Sequence, residues 1–416
     1  MNAIILSIGD ELVLGQTVDT NSAWLSARLA SLGFAVLQHT TVPDDQPAIE
    51  SAIRRAVTDC DLLLINGGLG PTPDDLTRQA VAVALNVPLE LNADWLSRLE
   101  QFFRRRGRQM PEMNRIQAMI PRGATLLENH AGTAPGIAAT YQSCRIFVMP
   151  GVPKEMKRMF DESVVPRLPI DTRHGVILSR TLHTFGLGES NIAEKLGPLM
   201  DRDRNPSVGT TVSGGVVSLR IDARFETADR ARQELDRATE LCQAALGNLI
   251  YGRDEETLQE VVARQLIEKN LTITVAESCT GGLLAKMLTD VPGSSSYFQR
   301  GWITYSDAAK SELLGVDPDL LKTDGPYSDP VAAAMAVGAL HRSRADFALS
   351  ITGIAGPDGG TGDTPVGTVW IALAHAQGAA ARKFNFPGDR EMIRDRAAKT
   401  ALTLLRMRLL NAAVPF

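Results

Sequence analysis

Cysteine is scarce in this chain: four residues in 416, Cys60, Cys144, Cys242 and Cys279. They are scattered, with no C-x-x-C pair and no metal-ligand spacing, which excludes a cysteine-built metal site and a paired-thiol redox motif. Three lie in apolar surroundings and read as inert core thiols, as expected in a reducing compartment. A net positive charge is also lacking. A formal charge of −5 and a pI near 5.8 argue against a nucleic-acid-binding protein as a whole. Long hydrophobic runs are missing as well: none approaches a membrane span, and Ala3–Ile8 is too short and too early for a signal peptide. The expectation is a soluble, cytoplasmic protein with no membrane partner. There is no internal repeat and no low-complexity tract. What is present is ordinary globular composition, 44% hydrophobic and 22% charged. The length exceeds one ordinary core, so two or three domains are expected.

Along the chain, strand and helix patterns first alternate: Ala3–Ile8, Ala35–Thr41 and Leu62–Asn66 read as strands, and 20–32, 48–57 and 76–85 as helices. Arg145–Met149 reads as a further buried strand. Such alternation predicts a parallel sheet covered on both faces. Between residues 161 and 169 the pattern lapses, and from about Gly175 a small α+β unit follows. It has strands at 177–185 and 216–225 and helices at 189–200 and 227–246; Gly186–Ser190 reads as a helix-capping turn. From Thr257 the α/β pattern resumes, with strands at 271–275, 347–351 and 366–373 and a last helix from Arg390. Boundaries are placed near 170 and 252. The fold class expected is therefore α/β: two α/β domains with mainly parallel sheets, 1–170 and 252–416, joined by a small α+β domain, 171–251.

In the first domain two turns follow strands, where open α/β sheets place ligands. One is Gly9-Asp10-Glu11. The other is Gly67-Gly68-Leu69-Gly70-Pro71-Thr72-Pro73-Asp74-Asp75, whose glycines let the backbone approach a phosphate. It is neither a Walker loop nor G-x-G-x-x-G. Asp74 and Asp75 read as holders of a divalent cation beside that phosphate, or one of them as a plain helix cap. Val42-Pro43-Asp44 adds a carboxylate at a similar sheet edge. The one basic run, Arg104-Arg105-Arg106-Gly107-Arg108, follows an amphipathic stretch (Trp95, Leu96, Leu99, Phe102, Phe103). It reads as a solvated or anion-contacting helix end.

The most informative stretch is Ala276-Glu277-Ser278-Cys279-Thr280-Gly281-Gly282, a strand–turn–helix with a hydroxyl and a thiol side by side. The turn is expected to aim backbone N–H groups of the helix N-terminus at a phosphate or an oxyanion. Either Ser278 or Cys279 suits as nucleophile; serine needs a base, and Tyr305 and Lys310 are candidates, with His341 and His375 as weaker ones. If a helix begins near Asp307, Lys310 lies in its first turn, able to face Tyr305. Thr352-Gly353 and the glycines to Gly360 follow another buried strand and read as a wall of the same crevice. Ser295, in Gly293-Ser294-Ser295-Ser296, offers a hydroxyl to a phosphate or is part of a plain turn. Arg390 is a candidate phosphate clamp, or else a surface ion-pair partner.

Gly67-Gly68-Leu69-Gly70 with Asp75, and Val42-Pro43-Asp44, resemble the molybdopterin-binding domain of molybdenum-cofactor biosynthesis proteins across most of residues 1–165. Leu69 replaces that family's threonine, which speaks against a true molybdopterin role. Together with Gly9-Asp10-Glu11, Pro71–Asp75, Pro150–Met156 and Ala276–Gly282, the chain resembles the CinA (competence/damage-inducible protein A) family. For the first domain the resemblance implies metal-dependent hydrolysis of ADP-ribose or a related dinucleotide, with Mg, Mn or Co as cofactor. Asp44 and Asp75 would act in catalysis, Asp74 and Asp75 on the metal, and Gly67, Gly68, Gly70, Asp10 and Glu11 on the substrate. Residues 276–282, 304–310 and 352–360 are similar to the nicotinamide-nucleotide amidase family. That implies Ser278 as nucleophile, Tyr305 and Lys310 activating it and Thr352 in the site, with Cys279, Thr280, Gly281, Gly282, Ser295, Gly353 and Arg390 at the substrate. The implied reaction is deamidation of nicotinamide mononucleotide to nicotinate mononucleotide and ammonia, without a metal. Asp307 stands where that family usually has asparagine. The middle unit resembles a KH-like domain without the basic Gly-x-x-Gly clamp of RNA binders, and reads as a spacer or dimerisation unit. A homodimer is implied. The rivals are a non-catalytic nucleotide-binding factor in competence or DNA-damage response, and a molybdopterin-binding protein.

Overall fold

The structure is a computed structural model that describes residues 1–168 and 176–416. The boundary expected near 170 and the change of style at Gly175 lie outside the described residues. The chain divides into two compact units, Met1–Leu178 with Ala223–Gln233, and Ser179–Asp222 with Glu234–Phe416. Among the described residues no helix is long and apolar enough to cross a membrane.

The first unit is built on β1 (Asn2–Ile8), β2 (Ala35–Val42), β3 (Leu62–Asn66), β4 (Leu89–Leu91), β5 (Met119–Pro121), β6 (Thr125–Leu127), β7 (Gly136–Tyr141) and β8 (Cys144–Met149). Its helices are α1 (Asp10–Val13), α2 (Thr20–Ser31), α3 (Gln46–Asp59), α4 (Thr77–Ala84), α5 (Ala93–Arg105) and α6 (Pro153–Met159). Six strands form one sheet in the order β2-β1-β3-β8-β7-β6. Every residue of β3 is buried, because α3 and α4 close one face and α2 and α6 the other. That two-sided burial is why its sequence, LLLIN, is an unbroken apolar run and does not alternate. Side chains of Asp19, Asp45 and Asn92 accept the first free N–H groups of α2, α3 and α5 and start those helices.

The sheet is mainly parallel, as expected, with an antiparallel edge. β1, β2, β3 and β8 run parallel, but β7 returns antiparallel to β8 through a turn at Gln142, whose φ is 54°. A tight hairpin cannot join parallel strands. Beyond the sheet, α5 packs with the 3-10 helix Glu112–Ala118 around a separate small core of Trp95, Leu99 and Ala118, and β4 and β5 pair antiparallel.

The middle segment forms β9 (Val176–Phe185), α7 (Glu189–Leu196), β10 (Ser207–Ser213), β11 (Val216–Phe225), α8 (Ala228–Leu246) and β12 (Ile250–Arg253), with sheet order β10-β11-β9-β12. Gly188 stands at the N-cap of α7, the capping role expected of its turn. The C-terminal part contains α9 (Leu258–Glu268), β13 (Ile273–Glu277), α10 (Leu283–Thr289), β14 (Phe298–Ile303), α11 (Asp307–Leu314), α12 (Pro318–Thr323), α13 (Asp329–Ser343), β15 (Phe347–Gly353), β16 (Thr368–His375), β17 (Gly378–Asn385) and α14 (Arg390–Leu409). Its sheet, β14-β13-β15-β16-β17, is parallel at β14, β13 and β15 and antiparallel beyond. α9, α10 and α14 cover one face and α13 the other. Glu277 pairs with Ile303 on one side and Ile351 on the other, so three strands end at one edge.

Candidate active sites

In the first unit the parallel strands β2, β1, β3 and β8 end side by side, and the loops that leave them wall a cleft of about 450 Å³. Gly9 and Glu11 follow β1, Asp44 follows β2, Gly67–Asp75 follows β3, and Pro150–Val152 follows β8. Asp10 and Asp44 bind reciprocally: the Asp10 N–H donates to Asp44 Oδ2 (3.0 Å) and the Asp44 N–H to Asp10 Oδ1 (3.1 Å). Burial raises the Asp44 carboxyl above the ordinary 3.8, and the nearby charges of Asp10, Glu11 and Asp74 add to that.

Asp75 is committed to its own loop. Its Oδ1 accepts the Gly70 N–H (2.7 Å), and its Oδ2 accepts the Thr72 N–H (2.9 Å) and the Thr72 hydroxyl. Asp74 is exposed at the rim. Two carboxylates lie hard against glycines, Asp75 on Gly70 and Glu155 on Gly132, where a Cβ would collide with them. Among the described residues no ready-made cluster of three or more metal-ligating side chains is found. The donor chemistry nevertheless suits a hard cation: Glu11, Asp44, Asp74, Asp75 and Glu155 line the cleft, with no lysine, arginine or histidine among the described residues of its wall. A diphosphate entering such a wall needs a cation between the two sets of negative charge.

Residues outside the sequence motifs hold this cleft. Arg78 is buried beneath the glycine loop and donates to the carbonyls of Leu69 and Gly70; burial pushes its guanidinium down to about 10. Below β1 and β3, Asn66 Nδ2 donates to Ser7 Oγ (2.9 Å), and Asn21 Nδ2 donates to Asn66 Oδ1 (3.1 Å) and to the Gly151 carbonyl (2.7 Å). The available signal was the single polar residue set into each apolar strand, Ser7 and Asn66.

At the C-terminal edge, Ser278 follows β13 and its N–H donates to the Ile351 carbonyl (2.9 Å), which sets it beside Thr352. The Thr304 N–H donates to the Glu277 carbonyl (2.7 Å), which brings Tyr305 to the same edge. Arg390 spans it, donating to the Tyr305 hydroxyl (2.9 Å) and the Gly356 carbonyl (2.7 Å). Ser278, Tyr305, Thr352, Gly353 and Arg390 are thus gathered by the fold. Helix α11 does begin at Asp307, with Ser306 as its N-cap. Lys310 is 1% exposed, and its Nζ is held by Asp307 Oδ1 at 3.1 Å, not by Tyr305. Tyr305 itself is 59% exposed.

Two expectations change here. The N–H groups of Gly282, Leu284 and Ala285, at the start of α10, do not wait for a ligand. They donate to the buried Glu277 carboxylate at 3.0, 3.1 and 2.7 Å, so the helix N-terminus already has its anion. Ser295 lies in the short 3-10 turn before β14, at the edge where Ile273 binds Tyr297. That is the opposite end of a five-residue strand, roughly 16 Å away, so within this chain Ser295 does not join Ser278.

Cys279 is packed in the apolar core with Val275, Leu284 and Ile393, and burial, then the Glu277 charge, pushes its thiol up to about 12. A thiol so placed is a poor nucleophile, which leaves Ser278 as the chemically available member of the pair. Thr280 and Thr304 carry buried hydroxyls without a partner among the described residues. Arg394, unmarked in the sequence reading, donates to the Thr280 carbonyl (2.6 Å). Tyr327 is raised by burial first, then by Asp307, Cys279 and Tyr305, which places it beside the same edge.

Comparison with known proteins accounts for nearly the whole chain. Residues 4–170 match the family described as "Probable molybdopterin binding domain", 179–252 the "Damage-inducible protein CinA KH domain", and 255–409 the "CinA C-terminal domain". The CinA-like protein of Geobacter sulfurreducens is 45% identical over 414 residues, 99% of this chain and 100% of that one. The CinA-like protein of Geobacter metallireducens is 43% identical over 414 residues, with the same coverage. A crystal structure of the competence/damage inducible protein CihA from Agrobacterium tumefaciens is 41% identical, covers 37% of this chain and 97% of its own, and has a TM-score of 0.36. Relatives this similar over this length leave one conclusion: the chain belongs to the CinA family, with a molybdopterin-binding-type α/β domain, a KH-like unit and a C-terminal CinA domain.

Proposed function

We propose that the chain is a hydrolase of pyridine nucleotides with two separate sites. At the C-terminal edge it deamidates nicotinamide mononucleotide. The observation that carries this is the gathering of Ser278, Tyr305 and Thr352 on three adjoining strand ends, with Arg390 tying Tyr305 to the Gly356 loop. Ser278 Oγ attacks the carboxamide carbon while the Tyr305 hydroxyl takes its proton and gives its own to the amide nitrogen, with the Lys310 charge close by in α11. Ammonia leaves with a proton, and water then cleaves the acyl-serine ester to give the carboxylate. Arg390 supplies donors for the phosphate. Ser278→Ala should abolish ammonia release with an unchanged melting temperature; release at the parent rate would refute the assignment.

In the N-terminal cleft the reaction is hydrolysis of the diphosphate of ADP-ribose or a related dinucleotide. What supports it is a wall of five carboxylates and glycine backbone with no basic side chain among the described residues. A divalent cation held by Asp74 and Asp44, with water completing its shell, would neutralise the diphosphate and lower the pKa of a bound water. Asp10 orients Asp44, and Asp75 shapes the loop that faces the phosphates. Asp44→Asn should cut metal-dependent AMP release at least ~100-fold, measured with Mg, Mn and Co and with chelator. Unchanged release would sink this half. A homodimer belongs to the same proposal, with a light-scattering mass near twice 44.9 kDa.

The second reading is a protein that binds a nucleotide or a pterin without turning it over, in a competence or damage response. It is favoured by the family descriptions, which name molybdopterin binding and damage induction. It is also favoured by the engagement of Asp75 in its own loop. Saturable binding of molybdopterin or a dinucleotide, with no product under any metal, selects it.

A further inference from the structure

Beside the acidic cleft lies a second one of about 370 Å³ and opposite character. We infer that it seats the nucleoside monophosphate half of the dinucleotide whose diphosphate lies in the acidic cleft; this rests on the hydrolase reading of that cleft. Helix α5 supplies Trp95, Arg98, Phe102, Arg105 and Arg106, and the loop from Glu128 to Thr133 closes the other side.

Arg106 lies over the Phe102 ring at 4.0 Å from its centroid and Arg98 over Trp95 at 5.9 Å, an arrangement that offers stacked planes to an aromatic base. Arg98 is spoken for by Glu128 at 2.6 Å. Arg105 and Arg106 have no carboxylate partner among the described residues, which leaves two positive charges for a phosphate. The indole N–H of Trp95, a residue 6% exposed, is buried and has no partner among the described residues, so the wall holds spare hydrogen-bonding capacity. The volume falls in the range of small-ligand sites, about 300–1,000 Å³.

The two clefts share a wall. Thr133 lines both, Gly132 lines the basic one and Ala134 the acidic one. Asn129 pins the junction: its Oδ1 accepts the N–H groups of Ala131 and Gly132, and its Nδ2 donates to Glu155 of the acidic cleft at 2.7 Å. A ligand with a planar base and an α-phosphate at one end and a diphosphate bridge beside it matches this order of basic then acidic surface. The basic run read from the sequence as a solvated or anion-contacting helix end thus acquires a ligand class.

The test uses the full chain. AMP and inorganic phosphate are titrated calorimetrically in chelator, with tryptophan fluorescence as a second readout. Arg105→Glu, at an exposed position, should weaken AMP at least ~10-fold, and Phe102→Ala should do the same without affecting phosphate. Arg105→Lys should restore most of the affinity. With ADP-ribose and metal, the same variants should raise KM by a similar factor and leave kcat within about threefold. Equal AMP affinity in parent, Arg105→Glu and Phe102→Ala overturns the inference, as does phosphate binding as tightly as AMP. If the parent turns over no dinucleotide, the hydrolase reading falls, while the AMP titration still decides this site on its own.

Discussion

Glu277 and Cys279 flank Ser278, and neither is what a residue in a reactive turn is expected to be. Glu277 caps the helix that follows it, so its carboxylate fixes the conformation of the turn from inside. Glu277→Ala leaves three amides without an acceptor and should cost ~3 kcal/mol or more, read as a fall in Tm. Glu277→Gln, which keeps one acceptor, should cost less. If both variants melt with the parent, the cap is not what holds the turn. Cys279 gives a pH dependence with a definite sign. Its thiol is raised from 9.0 to about 12, so between those values the unfolded chain has lost a proton that the folded chain retains. Stability is full below about pH 9 and falls as pH rises, by ~1.4 kcal/mol per pH unit for this group. Cys242, raised to about 11 by burial, acts in the same direction. Tm should therefore drop between about pH 8.5 and pH 10.5, and Cys279→Ala should flatten that slope; an identical slope would show the thiol is not its source.

At the scale of elements, the turn from β3 into α4 shows how a loop becomes a wall. Gly67 has φ 106°, and a Cβ there would run into the backbone carbonyl of Ile8 on the neighbouring strand. Neither the dihedral nor the close approach tolerates a side chain. Gly67→Ala should lose at least ~2 kcal/mol and most of the metal-dependent turnover, measured by Tm and product assay. A variant with parent stability and rate would mean the loop is free to move. β13 teaches the complementary lesson. Its apolar run reads as ending at Val275, yet pairing with β14 and β15 carries it on to Glu277. The end of that strand is set by its neighbours, not by its own propensity.

For the whole molecule, the two candidate sites stand on separate cores, one closed around β3 by α3, α4, α2 and α6, the other around β13 and β15 by α9, α10, α14 and α13. Sites that share no partners are independent to within a few tenths of a kcal/mol. Ser278→Ala should leave dinucleotide cleavage within about twofold of the parent, and Asp44→Asn should do the same for ammonia release. Loss of both activities in either variant would show a coupling that separate cores do not supply. Much of this plan is legible in the chain itself. Runs such as LLLIN and RIFVM announce buried strands, and glycine-rich segments directly after strands announce ligand edges. The strand–turn–helix at Ser278 carries its hydroxyl in plain view. These are local signals, read between residues a few positions apart. The tertiary structure decided the rest. It turned β7 back antiparallel, joined Asp10 to Asp44 across 34 positions and Arg394 to Thr280 across 114. It buried Cys279, spent the amides of α10 on Glu277 and placed a basic cleft against an acidic one. Burial and long-range hydrogen bonds depend on which surfaces meet, and no local pattern along the chain records that.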